Sequence, residues 1–271
     1  MTESEVPAPV LALLARFVEE RTGLHHAEAD RELFAQKLQE HAAERGFESV
    51  LELYYELRYG DADGTGLSAM IDALVVGETY FFREQRGLEV WLEPLIARAS
   101  AGELLRIWSA ACATGEEPIS IAVLLARAGV LDAFEIVASD ISARALERAR
   151  RGEYGRRAHR AIPAGAPPWI TIEGERAIVD PALRARIEWR RVNLAAAEEV
   201  AALGTFDAVV CRNVLIYFDD STARRVTAGL GGALRRGGEL LIGASESLLR
   251  LGTLFTCVER GGVFLYRVEE G

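Results

Sequence analysis

The chain has 271 residues, half of them hydrophobic and 27% charged, which is enough apolar material for a folded core of one or two domains. With 31 basic and 41 acidic side chains the net charge is −10, and general nucleic-acid binding, which needs a basic footprint, is excluded. The opening MTESEVPAPV lacks the basic start and apolar run of a signal peptide, no segment approaches the roughly 20 apolar residues of a membrane span, and Cys112, Cys211 and Cys257 lie too far apart for a zinc site or a disulfide framework. A cytoplasmic protein with reduced thiols and no membrane insertion is expected.

In chain order, residues 8 to about 75 read as helical. Val10, Leu13, Leu14 and Phe17 recur at helical spacing, and Gly23 in RTGL stops that helix. His25 and His26 are adjacent, point to different faces, and read as surface rather than as a metal site. Ala27–Arg45 predicts a second helix with Leu33, Leu38 and Ala42 on one face, and Phe47–Arg58 a third. DADGTG, Asp61–Gly66, is a loop. Leu67–Val76 is a fourth helix leading into GETYFFRE, Gly77–Glu84. There Thr79 can cap, and Tyr80, Phe81 and Phe82 can supply interface core. Arg83, beside three aromatics, either stacks on rings or holds an anion.

From Leu104 onward strands and helices alternate. Strand-like runs cover 104–111, 134–139, 187–193, 206–211 and 238–243, with helices over 116–128, 142–151, 195–203 and 221–235. That alternation implies an α/β fold with a mostly parallel sheet covered on both faces. Leu254–Val258 and Val263–Val268, joined at Gly261-Gly262, read as an antiparallel edge hairpin. An excursion, Tyr154–Arg186, interrupts the alternation. It holds the Pro/Gly-rich IPAGAPPW and a small hairpin, WITIEGERAIV, around Gly174.

The run LLRIWSAACATGEEPISIA, Leu104–Ala122, is strand, small-residue turn and helix. That layout lets main chain approach a ligand at a helix N-terminus. Glu116 and Glu117 follow Gly115 at once, and the loop has no Lys or Arg, so a pyrophosphate is repelled. A ligand carrying adenosine at one end and positive charge at the other is tolerated, and S-adenosylmethionine fits that description. The two acids also suit simple helix initiation. Asp140 ends the next strand, where an acid accepts from ribose hydroxyls or caps the following helix. Arg212-Asn213 sits at the carboxyl end of a buried strand, followed by Tyr217 and Phe218. RARRGEYGRRAHR, Arg148–Arg160, carries six arginines and one glutamate, and reads as a solvated face or a surface for an acidic partner.

Taken together, these segments resemble the chemotaxis-receptor methyltransferase (CheR) family over nearly the whole chain. The resemblance rests on T-x-F-F-R-E, S-A-A-C-x-T-G-E-E-P-x-S-I-A, the strand ending in Asp, V-N-L, C-R-N-V-L-I-Y-F-D and G-x-S-E-S-L, in that order. It implies a class I, Rossmann-like methyltransferase domain over residues 77–271, with the excursion at 154–186 as a small β unit, and an all-α N-terminal domain over 1–76. It implies methyl transfer from S-adenosylmethionine to glutamate side chains on receptor cytoplasmic helices, leaving S-adenosylhomocysteine. Matched by motif, the cofactor contacts are Thr79, Arg83, Glu116, Asp140, Asn193, Leu194, Cys211 and Arg212. Arg83 and Tyr217 lie near the transferring methyl. A monomer with no metal is expected.

Three departures stand out. Gly77 occupies a position where the family usually has Asn. The second helix, Ala27–Arg45, has five acids against three bases, where the family's is typically basic. The excursion is short. A carboxylate is already a nucleophile at neutral pH, so no general base is required, and no Ser/His/Asp or Cys/His constellation is evident. The rival readings are an enzyme acting on a non-receptor protein and a cofactor-binding signalling module without transfer.

Overall fold

The computed structural model describes residues 6–162 and 168–268. Most of IPAGAPPW lies outside them. Two compact units result: the chain up to Val76 together with Tyr217–Asp219, and Gly77–Ile216 together with Asp220 onward.

The first unit is helical. Helix α1 (Ala8–Thr22) ends on Gly23, whose φ of 78° closes a left-handed cap donating to Glu19 O. A short 3-10 turn precedes α2 (Arg31–Glu44). The predicted third helix divides into α3 (Val50–Tyr55) and a π turn, Glu56–Gly60. Its start is set by Ser49, which accepts from the Glu52 N–H, while Glu52 reaches back to the Glu48 N–H. Helix α4 (Thr65–Leu74) follows. Leu14, Phe17, Phe34, Leu38, Leu53 and Met70 form the core. The buried faces are rotated from the expected ones: Leu13 and Leu33 are exposed, and Leu11 and Phe34 take their places. Tyr217 joins this unit through its carbonyl, which accepts from the His25 N–H at 2.8 Å, and Phe218 bridges to Leu24.

The second unit opens with α5 (Gln85–Ser100), a helix that its internal Pro94 hides from a periodicity reading. Then come β1 (Leu105–Ala110), α6 (Glu116–Arg127), β2 (Phe134–Asp140) and α7 (Ala143–Arg151). The excursion folds as β3 (Glu153–Tyr154), α8 (Arg156–His159), β4 (Ile170–Glu173), β5 (Arg176–Val179) and α9 (Pro181–Arg184). Its strands form a small antiparallel sheet in the order β3-β5-β4, one strand more than the hairpin expected. The alternation resumes with β6 (Ile187–Arg191), α10 (Ala197–Ala201), β7 (Phe206–Cys211), α11 (Asp220–Gly232) and β8 (Leu234–Ile242), and closes with β9 (Phe255–Arg260) and β10 (Val263–Val268).

The main sheet runs β6-β2-β1-β7-β8-β10-β9. Its first five strands are parallel, and β10 pairs antiparallel with both β8 and β9. The chain order reverses at β1, so β2 and β7 flank the strand whose loop carries the acidic pair. In sheets of this class that reversal opens the ligand crevice at the carboxyl ends of the strands. Trp91, Ile107, Ile119, Ile121 and Val210 are fully or almost fully buried beneath it.

Candidate active site

Strain marks one end of the sheet. Among the described residues, the five non-glycine residues with positive φ lie in three loops of the second unit: Phe82 and Glu84, Ala111 and Ala113, and Asn213. Two loops follow β1 and β7, and the third is GETYFFRE. Side chains rarely adopt this conformation, and it persists only where surrounding contacts over-determine it.

The loop after β1 is closed by its own hydrogen bonds. The Cys112 N–H donates to Ser139 O and the Gly115 N–H to Cys112 O. Asp140 holds it from the next strand: Oδ2 accepts from the Ala113 N–H and Oδ1 from the Ser142 N–H, both at 2.8 Å. The cap of α7 is Ser142, not Asp140, since its hydroxyl accepts from the Ala145 N–H. Gly115 serves packing rather than ligand approach. A Cβ there would lie 2.7 Å from the Ala149 Cβ and 2.9 Å from the Trp189 ring, and its φ is 91°.

The acidic pair divides its labour. Glu116 is 2% exposed. Its Oε2 accepts from the Thr114 hydroxyl at 2.6 Å, and no cation lies within ion-pair distance among the described residues. Burial therefore pushes its carboxyl above the usual range, against hydrogen bonds to the charged form and a weaker pull from Arg148. Glu117 is neutralised: Oε2 pairs with Arg212 Nε at 2.7 Å, and Oε1 accepts from the Ser109 hydroxyl at 2.7 Å. Tyr154 fixes the same loop from the small sheet, donating from its hydroxyl to Thr114 O at 2.8 Å, with its ring edge-on to Phe81.

GETYFFRE is pinned by its main chain. The Phe81 N–H donates to Ala158 O, and the Phe82 N–H to the Ser120 hydroxyl, which donates to Glu116 O. Phe81 and Phe82 enter the core. Arg83 between them and Glu84 is only loosely held: Nη1 reaches Glu78 O at 3.3 Å, and Nε lies 4.0 Å from Glu84. Its guanidinium sits 5.9 Å from the Tyr80 ring, which Arg160 also covers at 4.2 Å. Thr79 is half-buried.

After β7, Cys211 is buried and Arg212 has a side chain only 3% exposed. Burial drives the Cys112 and Cys211 thiols well above their ordinary range, so neither supplies a thiolate at neutral pH. Asn193 and Leu194 follow β6: the Asn193 N–H donates to Glu199 Oε2, its Oδ1 accepts from the Ala195 N–H, and Leu194 is buried.

Sequence reasoning assigned no role to Glu246. One carboxylate accepts from Asn213 N–H at 2.7 Å, Leu215 N–H at 2.9 Å and Gly243 N–H at 2.9 Å, which holds the left-handed Asn213 in place. The signal was its place in G-x-S-E-S-L. His25 pairs with Glu19, and His26 lies against Phe34. No metal-holding group of acidic, histidine or cysteine side chains occurs among the described residues.

Crevice position, acidic loop and strained turns together define a Rossmann-like site for an adenosine-bearing, positively charged ligand. Comparison gives that site its family: residues 77–263 match the CheR methyltransferase, SAM binding domain. The chain is similar to chemotaxis protein methyltransferase 2 of Vibrio cholerae, 36% identical over 229 residues, 81% of this chain and 76% of that protein. It is 34% identical over 266 residues to chemotaxis protein methyltransferase 1 of Pseudomonas aeruginosa, 93% of this chain and 95% of that one. With the chemotaxis protein methyltransferase of Vibrio parahaemolyticus it shares 30% over 267 residues, 94% and 95% of the two chains. The chain belongs to the CheR methyltransferase family and is an S-adenosylmethionine-dependent methyltransferase. No helix among the described residues is long and apolar enough to cross a membrane.

Proposed function

We propose that this enzyme esterifies glutamate side chains on the cytoplasmic helices of a chemoreceptor, and that Arg83 is the residue that receives the incoming carboxylate. The observation that carries this reading is the setting of Arg83: a strained main chain presenting a guanidinium that is only loosely held, with the Glu84 carboxylate 4.0 Å away. Bidentate recognition of a carboxylate is what a guanidinium does best. Asp140, at the carboxyl end of β2, is assigned to the ribose on its strand-end position, and Glu116 offers a buried negative group to the cofactor's positive end. Asn193, Leu194, Cys211 and Arg212 offer the adenosine walls and main chain, with Thr79 at the rim. S-adenosylmethionine supplies a methyl group on a positively charged sulfur. The protein's own task is to orient one oxygen and keep water out, since a carboxylate needs no base. Tyr217 is assigned to the second carboxylate oxygen on its motif alone.

For the receptor we propose docking on the arginine-rich face of α7 and α8. Arg157 has no hydrogen-bond or ion-pair partner among the described residues, and Arg150 bonds only the Trp189 carbonyl. Arg156 pairs with Glu175 in full exposure, which is worth little. The segment Ala27–Arg45 that contains α2, with five acids against three bases, suits an acidic partner poorly. Reversing Arg150, Arg151, Arg156 and Arg157 to Glu should weaken methylation more than reversing Arg31, Lys37 and Arg45, and the gap should narrow as salt rises. Equal effects would remove the docking assignment. Location in the cytoplasm follows from the same reading.

The reaction class is tested by incubating the enzyme with radiolabelled cofactor and cell lysate. Label released from protein by mild base marks a carboxyl ester. Base-stable label would place the methyl on nitrogen or carbon and overturn the proposal.

A further inference from the structure

We propose that the side chains of Glu117 and Arg212 position the site for methyl transfer, acting on the substrate through Arg83, while any contact of residue 212 with the cofactor is made by its main chain. This rests on the assignment of Arg83 to the incoming carboxylate.

The argument starts from where the Arg212 fork is spent. Nε pairs with Glu117 Oε2 at 2.7 Å, and Nη1 donates to the Arg83 carbonyl at 2.8 Å. Nη1 also lies 3.4 Å from Glu84 Oε2, which accepts from the Ala244 N–H at 3.1 Å. One guanidinium therefore ties the start of α6, the loop after β7 and the GETYFFRE turn together, with the loop after β8 joined through Glu84. Ser109 on β1 completes the far end by donating to Glu117.

The carbonyl it grips belongs to the residue between two left-handed positions, Phe82 at 58° and Glu84 at 51°. A turn of that kind relaxes when a tether is lost. On the N-terminal side the tethers are the Phe81 and Phe82 N–H groups; on the C-terminal side they are Arg212 and Glu84. The polar groups of the pair are spent on each other, on the Ser109 hydroxyl and on the Arg83 carbonyl, with the Arg212 side chain 3% exposed beside a Glu117 side chain at 10%. An ion pair so placed is weak evidence of stabilisation, but it fixes geometry.

Lysine at 212 keeps the charge facing Glu117 but loses the fork that reaches two acceptors at once. Arg212→Lys should lower kcat on the order of 10- to 100-fold, the scale of a misplacement near 1 Å, and leave the calorimetric Kd for S-adenosylhomocysteine within about threefold. Glu117→Gln keeps an acceptor for Nε and should lie between wild type and Arg212→Lys. Glu84→Gln, at the partly exposed end of the chain of contacts, gives the same kcat-only signature at smaller size should the buried variants fail to fold. A kcat unchanged below the melting temperature, or a cofactor Kd that moves in step with kcat, overturns the proposal. Arg83→Ala separates the two ideas. If it turns over normally, the assignment of Arg83 has failed. If it is impaired while Arg212→Lys and Glu84→Gln are not, only the positioning role has failed.

Discussion

Two buried carboxylates at opposite ends of the main sheet contrast in how they are satisfied. Asp207, near the amino end of β7, accepts from Arg98 at 3.0 Å, Arg235 at 2.6 Å and the Arg106 N–H at 2.9 Å. Both arginines are over 40% exposed, and no non-glycine residue nearby has positive φ. Glu116, at the carboxyl end, has a hydroxyl for company and no cation in contact, and it sits among strained turns. The first arrangement is complete within the protein. On the proposed reading, the second is completed by the positively charged end of the cofactor. Both are buried carboxylates, so the distinguishing feature is the cationic partners that Asp207 has and Glu116 lacks among the described residues.

The largest expected effect comes from crowding the strained end. Gly115→Ala puts a Cβ into Ala149 and Trp189 at a left-handed position. It should cost about 3 kcal/mol of stability and abolish cofactor binding, measured by denaturation and calorimetry. A variant that binds normally would mean the loop is free to move.

Asp207→Asn should behave oppositely. It should cost about 2 kcal/mol, as expected for lost hydrogen bonds to charged groups, while kcat and cofactor affinity stay at wild-type values. A fall in kcat with stability intact would erase the distinction between the two ends.

The smallest effect is the most specific. The Glu116 carboxyl is held above its ordinary value of 4.5, so the folded state binds that proton more tightly than the unfolded chain. Its stabilising contribution is complete below about pH 4.5 and is lost as pH rises through the raised value. Glu116→Gln cannot ionise, so ligand-free stability in that variant should fall less with rising pH above 4.5. A cationic ligand favours the ionised form, so cofactor affinity of the wild type should rise with pH over the same window, with proton release visible by calorimetry in two buffers. Parallel stability curves for the two proteins would sink this reading of Glu116.

Much of the frame was legible because it depends on local pattern. Alternating runs located the five parallel strands, Gly23 closed the first helix, and the paired glycines 261 and 262 marked the edge hairpin. Strand-end position also singled out Asp140. What stayed hidden depends on distance in the chain. Glu117 and Arg212 are 95 residues apart, and no periodicity announces such a pair, so the two adjacent acids read as one feature. The need for glycine at 115 comes from Ala149 and Trp189, far along the chain. Strand β3 has two residues and no pattern to read, and Pro94 masked helix α5. Leu13 and Leu33 fit their helical repeats, but only the packing of the other helices decides which flank of a stripe is covered.

The most direct measurement is methyl transfer by Arg83→Ala to protein carboxyl groups, followed as base-labile label, with S-adenosylhomocysteine affinity measured on the same preparation. The expected result is a loss of transfer on the order of 100-fold or more with cofactor affinity nearly unchanged, because the lost interaction is made with the incoming carboxylate. Transfer at the wild-type rate would contradict the account.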